Sequence, residues 1–94
     1  MRTLMTCIID TQAGNRAAKE GNIAKIVGQI AERLKPETAF FYTQNGHRSM
    51  NMIFDLKDSS EIPSIAEPLF QEFNAQVSFA PVMNLDDLKK GLPR

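Results

Sequence analysis

Residues 37–56, ETAFFYTQNGHRSMNMIFDL, place two apolar-rich runs around a single dipeptide. Glu37–Gln44 and Arg48–Leu56 read as strands, rich in aromatic, β-branched and methionine side chains. Asn45-Gly46 between them suits a two-residue type I′ turn, which needs positive φ at both central positions and is a strong hairpin signal. With these residues at the turn centre, opposed residue numbers sum to 91, and opposed residues share a side of the sheet. One side then carries Ala39, Phe41 and Thr43 with Arg48, Met50, Met52 and Phe54. The other carries Thr38, Phe40 and Tyr42 with Ser49, Asn51, Ile53 and Asp55. The first set is the more continuously apolar and is assigned to the core beneath the helices. The second mixes rings with hydroxyls and an amide, unlike a solvated face, which would carry Lys, Glu and Thr. A one-residue slip would exchange the two faces.

Working outward, Arg2–Ile9 is a further strand, and Asp10–Asn15 is turn chemistry leading towards a helix. Gly14–Glu20 reads as a short, looser helical turn. Asn22 then reads as the N-cap of a main helix whose stripe is Ile23, Ile26, Val27, Ile30, Ala31 and Leu34. Pro36 stops that helix. Beyond the hairpin, Asp58–Glu61 offers caps for a second helix, Ile62–Phe73, in which Pro63 is tolerable and Pro68 predicts a kink or a division. Ala75–Val82 is a fourth strand, with Pro81 marking an edge position or a termination. Asn84 followed by Asp86, Asp87, Lys89, Lys90 and Gly91 reads as a capped final turn. The order β-α-β-β-α-β is the split βαβ pattern of the ferredoxin-like fold: α+β, a four-stranded antiparallel sheet with two helices on one face. The chain is expected to be one domain, 1–94, with 83–94 as a short C-terminal helical tail.

Composition narrows the function classes. The 94 residues carry 11 basic and 11 acidic side chains, which argues against coating nucleic acid or an anionic membrane. A single cysteine rules out an intrachain disulfide framework or a multi-cysteine metal site. No apolar run approaches the ~20 residues of a membrane span, and Met1-Arg2-Thr3 leads into strand-like sequence rather than a signal peptide. A small cytoplasmic domain is the expectation.

Strand one repeats the two-sided pattern of the hairpin: Leu4, Thr6 and Ile8 alternate with Met5, Cys7 and Ile9, and both sets are largely apolar. Two helices cover one face of the sheet, so the other needs a cover. A homodimer packing sheet against sheet supplies it most simply; a small-molecule ligand or a different protein is the other option. The element order, the two-sided sheet, the length and the tail FAPVMNLDDLKKGL resemble the dimeric α/β-barrel superfamily of ferredoxin-like proteins. The stretch IFDLKDSSEIPSIAEPLFQEFNAQVSFAPVMNLDDL is similar to uncharacterised bacterial members. That resemblance implies a dimer, and it implies neither a reaction nor catalytic residues; the tryptophan used by several monooxygenases of the superfamily is absent.

Few residues suggest chemistry. His47 adjoins the turn and reads as an exposed hairpin tip; catalysis would need a carboxylate to orient its ring. Cys7, mid-strand, reads as a small core hydrophobe. Met5, Met50 and Met52 could offer thioethers to Cu(I), but methionine is ordinary core filler. Asp55, Asp58 and Glu61 read as caps rather than cation ligands, and Arg48 as at most an anion anchor at the open end of the hairpin. No catalytic, cofactor or metal residues are assigned. The group to test is Tyr42, Ser49 and Asn51 with Phe40 and Ile53 beside them, as a ligand patch or as the dimer face. The functional expectation is a homodimeric small-molecule-binding or assembly module. The alternative is a cofactor-independent oxygenase or isomerase acting on a small aromatic or carbonyl compound.

Overall fold

The Asn45-Gly46 turn has φ of 53° and 80° at its two central residues, and the hairpin it closes keeps the expected register: Thr43 faces Arg48, Phe41 faces Met50 and Thr38 faces Ile53. These strands are β2 (Thr38–Gln44) and β3 (His47–Asp55) of a computed structural model that describes residues 1–93. The remaining elements are β1 (Arg2–Ile8), α1 (Thr11–Lys19), α2 (Asn22–Leu34), a single 3₁₀ turn (Ser59–Glu61), α3 (Ile62–Phe73), β4 (Gln76–Pro81) and α4 (Leu85–Gly91). The sheet is antiparallel throughout, in the order β2-β3-β1-β4, so the two central strands β1 and β3 are flanked by hairpin and crossover partners. Pro81 lies at the end of β4, an edge strand, where a missing N–H costs no ladder bond.

The core forms on one side of the sheet. Met5, Cys7 and Ile9 of the first strand run, with Met50, Met52 and Phe54 of β3, are at most 4% exposed. Val27 and Ile30 of α2 and Ile65, Leu69 and Phe73 of α3 close over them. Cys7 pairs with Met50 and Met5 with Met52, so the thiol and the thioethers fill one apolar layer. Burial pushes the Cys7 thiol up to about 11, which keeps it protonated and a poor nucleophile at neutral pH.

The helical layer differs from expectation in four places. Asp10 caps a regular helix α1 from Thr11, its carboxylate accepting from the Ala13 N–H at 3.0 Å, where a turn and a looser segment were expected. That first crossover therefore holds two helices, and α1 buries only small residues, Ala13, Gly14 and Ala17. Asn22 does not cap α2. Gly21, in the left-handed region at φ 73°, both ends α1 and precedes α2, while the Asn22 amide donates to Glu20 at 3.1 Å. Pro68 does not divide α3. Pro68 and Ser64, whose carbonyl it leaves without an i+4 partner, are both exposed, so water can take the bond. Finally, Phe41 lies on the helix side as expected but is 64% exposed, because β2 is an edge strand that α2 does not fully overhang.

Beyond β4 the chain leaves the body. Every residue from Met83 to Pro93 is exposed. The radius of gyration, 14.7 Å, exceeds the ~12 Å of a compact domain of this length, and the longest extent is 53 Å against 28 and 18 Å. No helix among the described residues is long and apolar enough to cross a membrane.

Candidate functional site

The patch singled out from sequence lies on the sheet face away from the helices. Pairings across all four strands set its rows: Phe40-Asn51-Thr6-Ser78, Tyr42-Ser49-Ile8-Gln76 and Thr38-Ile53-Leu4-Ala80. The centre of this face is thus a strip of one amide and two hydroxyls, and rings stand along its β2 edge. Phe40 is 63% exposed and Tyr42 is exposed to a lesser degree, while Asn51 and Ile53 are half-buried. Ser49 is buried and donates to the His47 carbonyl at 3.1 Å, so its hydroxyl is engaged locally rather than offered to a ligand. The structure brings Phe40, Tyr42, Asn51 and Ile53 together as a surface, and Tyr42 and Ser49 also line a hollow of about 290 Å³ with Ile9, Ile23, Val27 and Met50.

A more enclosed site lies at the end of the sheet where β1 and β2 finish and β3 and β4 begin. A hollow of about 500 Å³ is lined by Ile8, Ile9, Asp10, Gln44, Asn45, His47, Asn74, Ala75 and Gln76. Three stretches of chain build it: the hairpin tip, the β1–α1 junction and the connection from α3 into β4. His47 is half-buried here rather than exposed at a tip, with Nδ1 3.3 Å from the Thr11 hydroxyl. Asp10 accepts from the Ala13 N–H and is held at its own N–H by the Phe73 carbonyl at 3.3 Å. Asn45 and Asn74 both take left-handed backbone, φ 53° and 47°, which asparagine tolerates better than most residues and which turns the chain sharply at each corner of the hollow. Four side-chain amides, an imidazole and a carboxylate can supply both donors and acceptors to a small polar molecule. Sequence reasoning missed this grouping because its members come from three stretches far apart in the chain. The one available signal was three left-handed-prone asparagine or glycine positions near strand ends.

Other candidate groups resolve into structural roles. Asp58 and Glu61 form a capping box around the 3₁₀ turn, and the Ser60 N–H holds the Asp58 carboxyl below its usual range. Asp55 bonds the Met1 amino group at 2.7 Å and Lys57 at 2.9 Å; those two cations pull its carboxyl down to about 2. Arg48, read as at most an anion anchor, is exposed and packs beside Gly14 of α1. Its side chain lies across α1, so close that a Cβ on Gly14 would come within 2.8 Å of Nη1.

A second hollow, about 550 Å³, runs between α2 and α3. Both helices pack against α1, and beyond it they part over a floor that includes Ile26, Ile30, Leu34, Ile65 and Pro68. Arg33 reaches across one end to the Ser64 hydroxyl at 2.8 Å.

No protein-family model matches the chain, and no curated protein matches it significantly. Solved structures do. The regulatory subunit of aspartate kinase from Thermus thermophilus aligns with a TM-score of 0.58 at 18% identity, over 85% of this chain and 50% of that one. A formyltetrahydrofolate deformylase from Pseudomonas putida KT2440 aligns with a TM-score of 0.55 at 9% identity, over 87% of this chain and 29% of that one. The chain thus spans half or less of the length of either protein. At these identities the likeness concerns fold, and with the strand order it defines the chain as an α+β ferredoxin-like fold.

Proposed function

We propose that this chain is a small-molecule-binding module that works as a homodimer, of the dimeric α/β-barrel kind found in bacteria that its sequence resembles. Residues 1–94 act as one domain with 83–94 as its tail, in the cytoplasm, where one free buried cysteine is at home. The observation that carries the binding role is the polar hollow at the strand ends, where His47, Asp10, Asn45, Asn74 and Gln76 converge from separate loops. Its amides and imidazole suit a small polar metabolite bearing both donors and acceptors. That one structural neighbour is a regulatory subunit is in keeping with such a role.

The dimer is supported by surface. Of the 6446 Å² the folded chain exposes, the arm beyond β4 carries much of the excess over the ~5,400 Å² expected of a compact monomer, so it is the apolar content of the open sheet face that supports a dimer. A standard interface takes about 800 Å² from each partner. Phe40, Tyr42, Ile53, Leu4 and Ile8 supply the apolar part of such a face, around the Asn51-Thr6-Ser78 strip. The oxygenase or isomerase alternative has less behind it. The Nδ1 of His47 faces a threonine hydroxyl, and Asp10, the nearest acid in the hollow, is engaged as a helix cap.

A thermal-shift screen with amino acids, hydroxy acids and nucleobases tests the binding role. A ligand at ~100 times its Kd adds about 2.7 kcal/mol, which raises the midpoint of a domain of this size by about 10–20 °C. The shift is expected to vanish in Asn45→Ala and His47→Ala and to survive in Asn51→Ala. A shift lost in Asn51→Ala and kept in His47→Ala would move the site to the sheet face.

A further inference from the structure

We propose that α4 is a docking arm whose leucine stripe seats in the α2/α3 groove of a second copy of this chain. The arm is built as a helix in its own right: Asn84 and Asp87 form a capping box, with the Asn84 side chain accepting from the Asp87 N–H at 2.9 Å. Yet it buries nothing. Leu85, Leu88 and Leu92, at i, i+3 and i+7, share one face and are 63%, 43% and 57% exposed. A helix of seven residues gains little by itself in water, so an unpartnered apolar stripe on one calls for a receiving surface.

The groove fits it in length, polarity and charge. Seven helical residues span about 10 Å, and the stretch of α2 from Ile26 to Leu34 that walls the groove spans about 12 Å. The floor is apolar, and its charges sit at opposite places: Arg33 beside Ser64 where α2 ends and α3 begins, Glu72 at the far end, and Glu67 between. The arm carries Asp86 in its first turn and Lys89 in its last, and Lys89 flanks the leucine stripe. Laid with its start at Arg33, the arm sets its acid against the arginine and, about 4.5 Å further on, its lysine against Glu67, which lies three residues beyond Ser64.

The chain's own arm does not fill its groove. The Val82 N–H is bonded to the Arg2 carbonyl at 3.1 Å, which pins the end of β4, and only Met83 and Asn84 join it to α4. Beyond that pin every residue from Met83 to Pro93 is exposed, so α4 stands away from its own α2/α3 groove. The occupant is therefore the arm of another copy. The contact is heterologous, arm to groove, and distinct from the two-fold sheet contact.

Sedimentation velocity on the full chain from micromolar to millimolar concentration tests this. The expected result is a second, weaker association step above the first. Leu88→Asp weakens that step about tenfold or more, the effect of placing a charge where an apolar anchor sits. Lys89→Glu and Glu67→Lys each weaken it, and the double variant restores it. None of these touches the sheet face, while Phe40→Ala removes the dimer and leaves the arm step, so the two contacts are read separately. A mass that never rises above its low-concentration value overturns the proposal. So does a second step indifferent to Leu88→Asp, or a charge-swapped double variant no better than its single parents.

Discussion

Phe40 and Phe41 are adjacent, identical in chemistry and nearly equal in exposure, at 63% and 64%, yet they stand on opposite sides of the sheet. The pair isolates the face that a second copy covers. A phenylalanine offers 150–250 Å², so the exposed part of Phe40 is about 95–160 Å², and covering it contributes about 2.4–4 kcal/mol at ~25 cal/mol per Å². In a two-fold dimer the ring counts twice, which sets a ceiling of about 5–8 kcal/mol on the loss in Phe40→Ala. Association also orders side chains and desolvates the Asn51-Thr6-Ser78 strip, so the measurable loss falls below that ceiling. A weakening of at least ~100-fold in the dimer Kd, about 2.7 kcal/mol, is the expected outcome. Phe41→Ala removes a ring from the shallow hollow beside Ile23, Ala24 and Val27 and is expected to leave the Kd within about threefold, the scatter expected of a residue outside the contact. Sedimentation equilibrium at several loading concentrations reads both constants. Equal weakening by the two substitutions, or none by Phe40→Ala, would refute the assignment of the open face.

Gly28 is an exposed residue inside α2, where an added Cβ would meet nothing within 4 Å, so Gly28→Ala is expected to raise stability by about 1 kcal/mol, seen as a higher midpoint in urea. Gly21→Ala, also unobstructed but at φ +73°, is expected to lower it by about 1 kcal/mol, because the penalty there is backbone conformation. Cys7 supplies a pH signature. The folded state holds its thiol proton up to about pH 11, whereas the unfolded chain releases it near pH 9, so stability is full below about pH 9 and declines as pH rises towards 11. Cys7→Ala should flatten that alkaline slope in chemical denaturation, and a slope unchanged by the substitution would place its origin elsewhere.

Much of the architecture was legible because local chemistry settled it. Asn45-Gly46 admits one hairpin geometry, and from it follow the register and the buried triplet Met50, Met52 and Phe54. Ile62–Phe73 was readable end to end, since Asp58–Glu61 supplies the caps before it and Asn74 the left-handed stop after it. What stayed hidden depends on how elements are placed side by side. Phe41 has the right parity for the core, but coverage of an edge strand turns on where α2 lands, which periodicity does not encode. The helical start at Thr11 was masked by polar residues, because α1 docks through Ala13, Gly14 and Ala17 and has no large apolar stripe to announce it. The hollow around His47 needed the β1–α1 junction and the β4 start to meet the hairpin tip, a coincidence of three stretches far apart in the chain. Arg48 shows the same limit: its neighbour Gly14 becomes one only when α1 packs on β3.

The open face is the feature on which the functional reading turns, and the mass of the particle in solution probes it most directly. Sedimentation equilibrium of the unmodified chain at low micromolar concentration, below the range of the arm contact, should return about 21 kDa, twice the 10.5 kDa of one copy. A single species of 10.5 kDa at that concentration would contradict the account, because the sheet face would then stand uncovered in water.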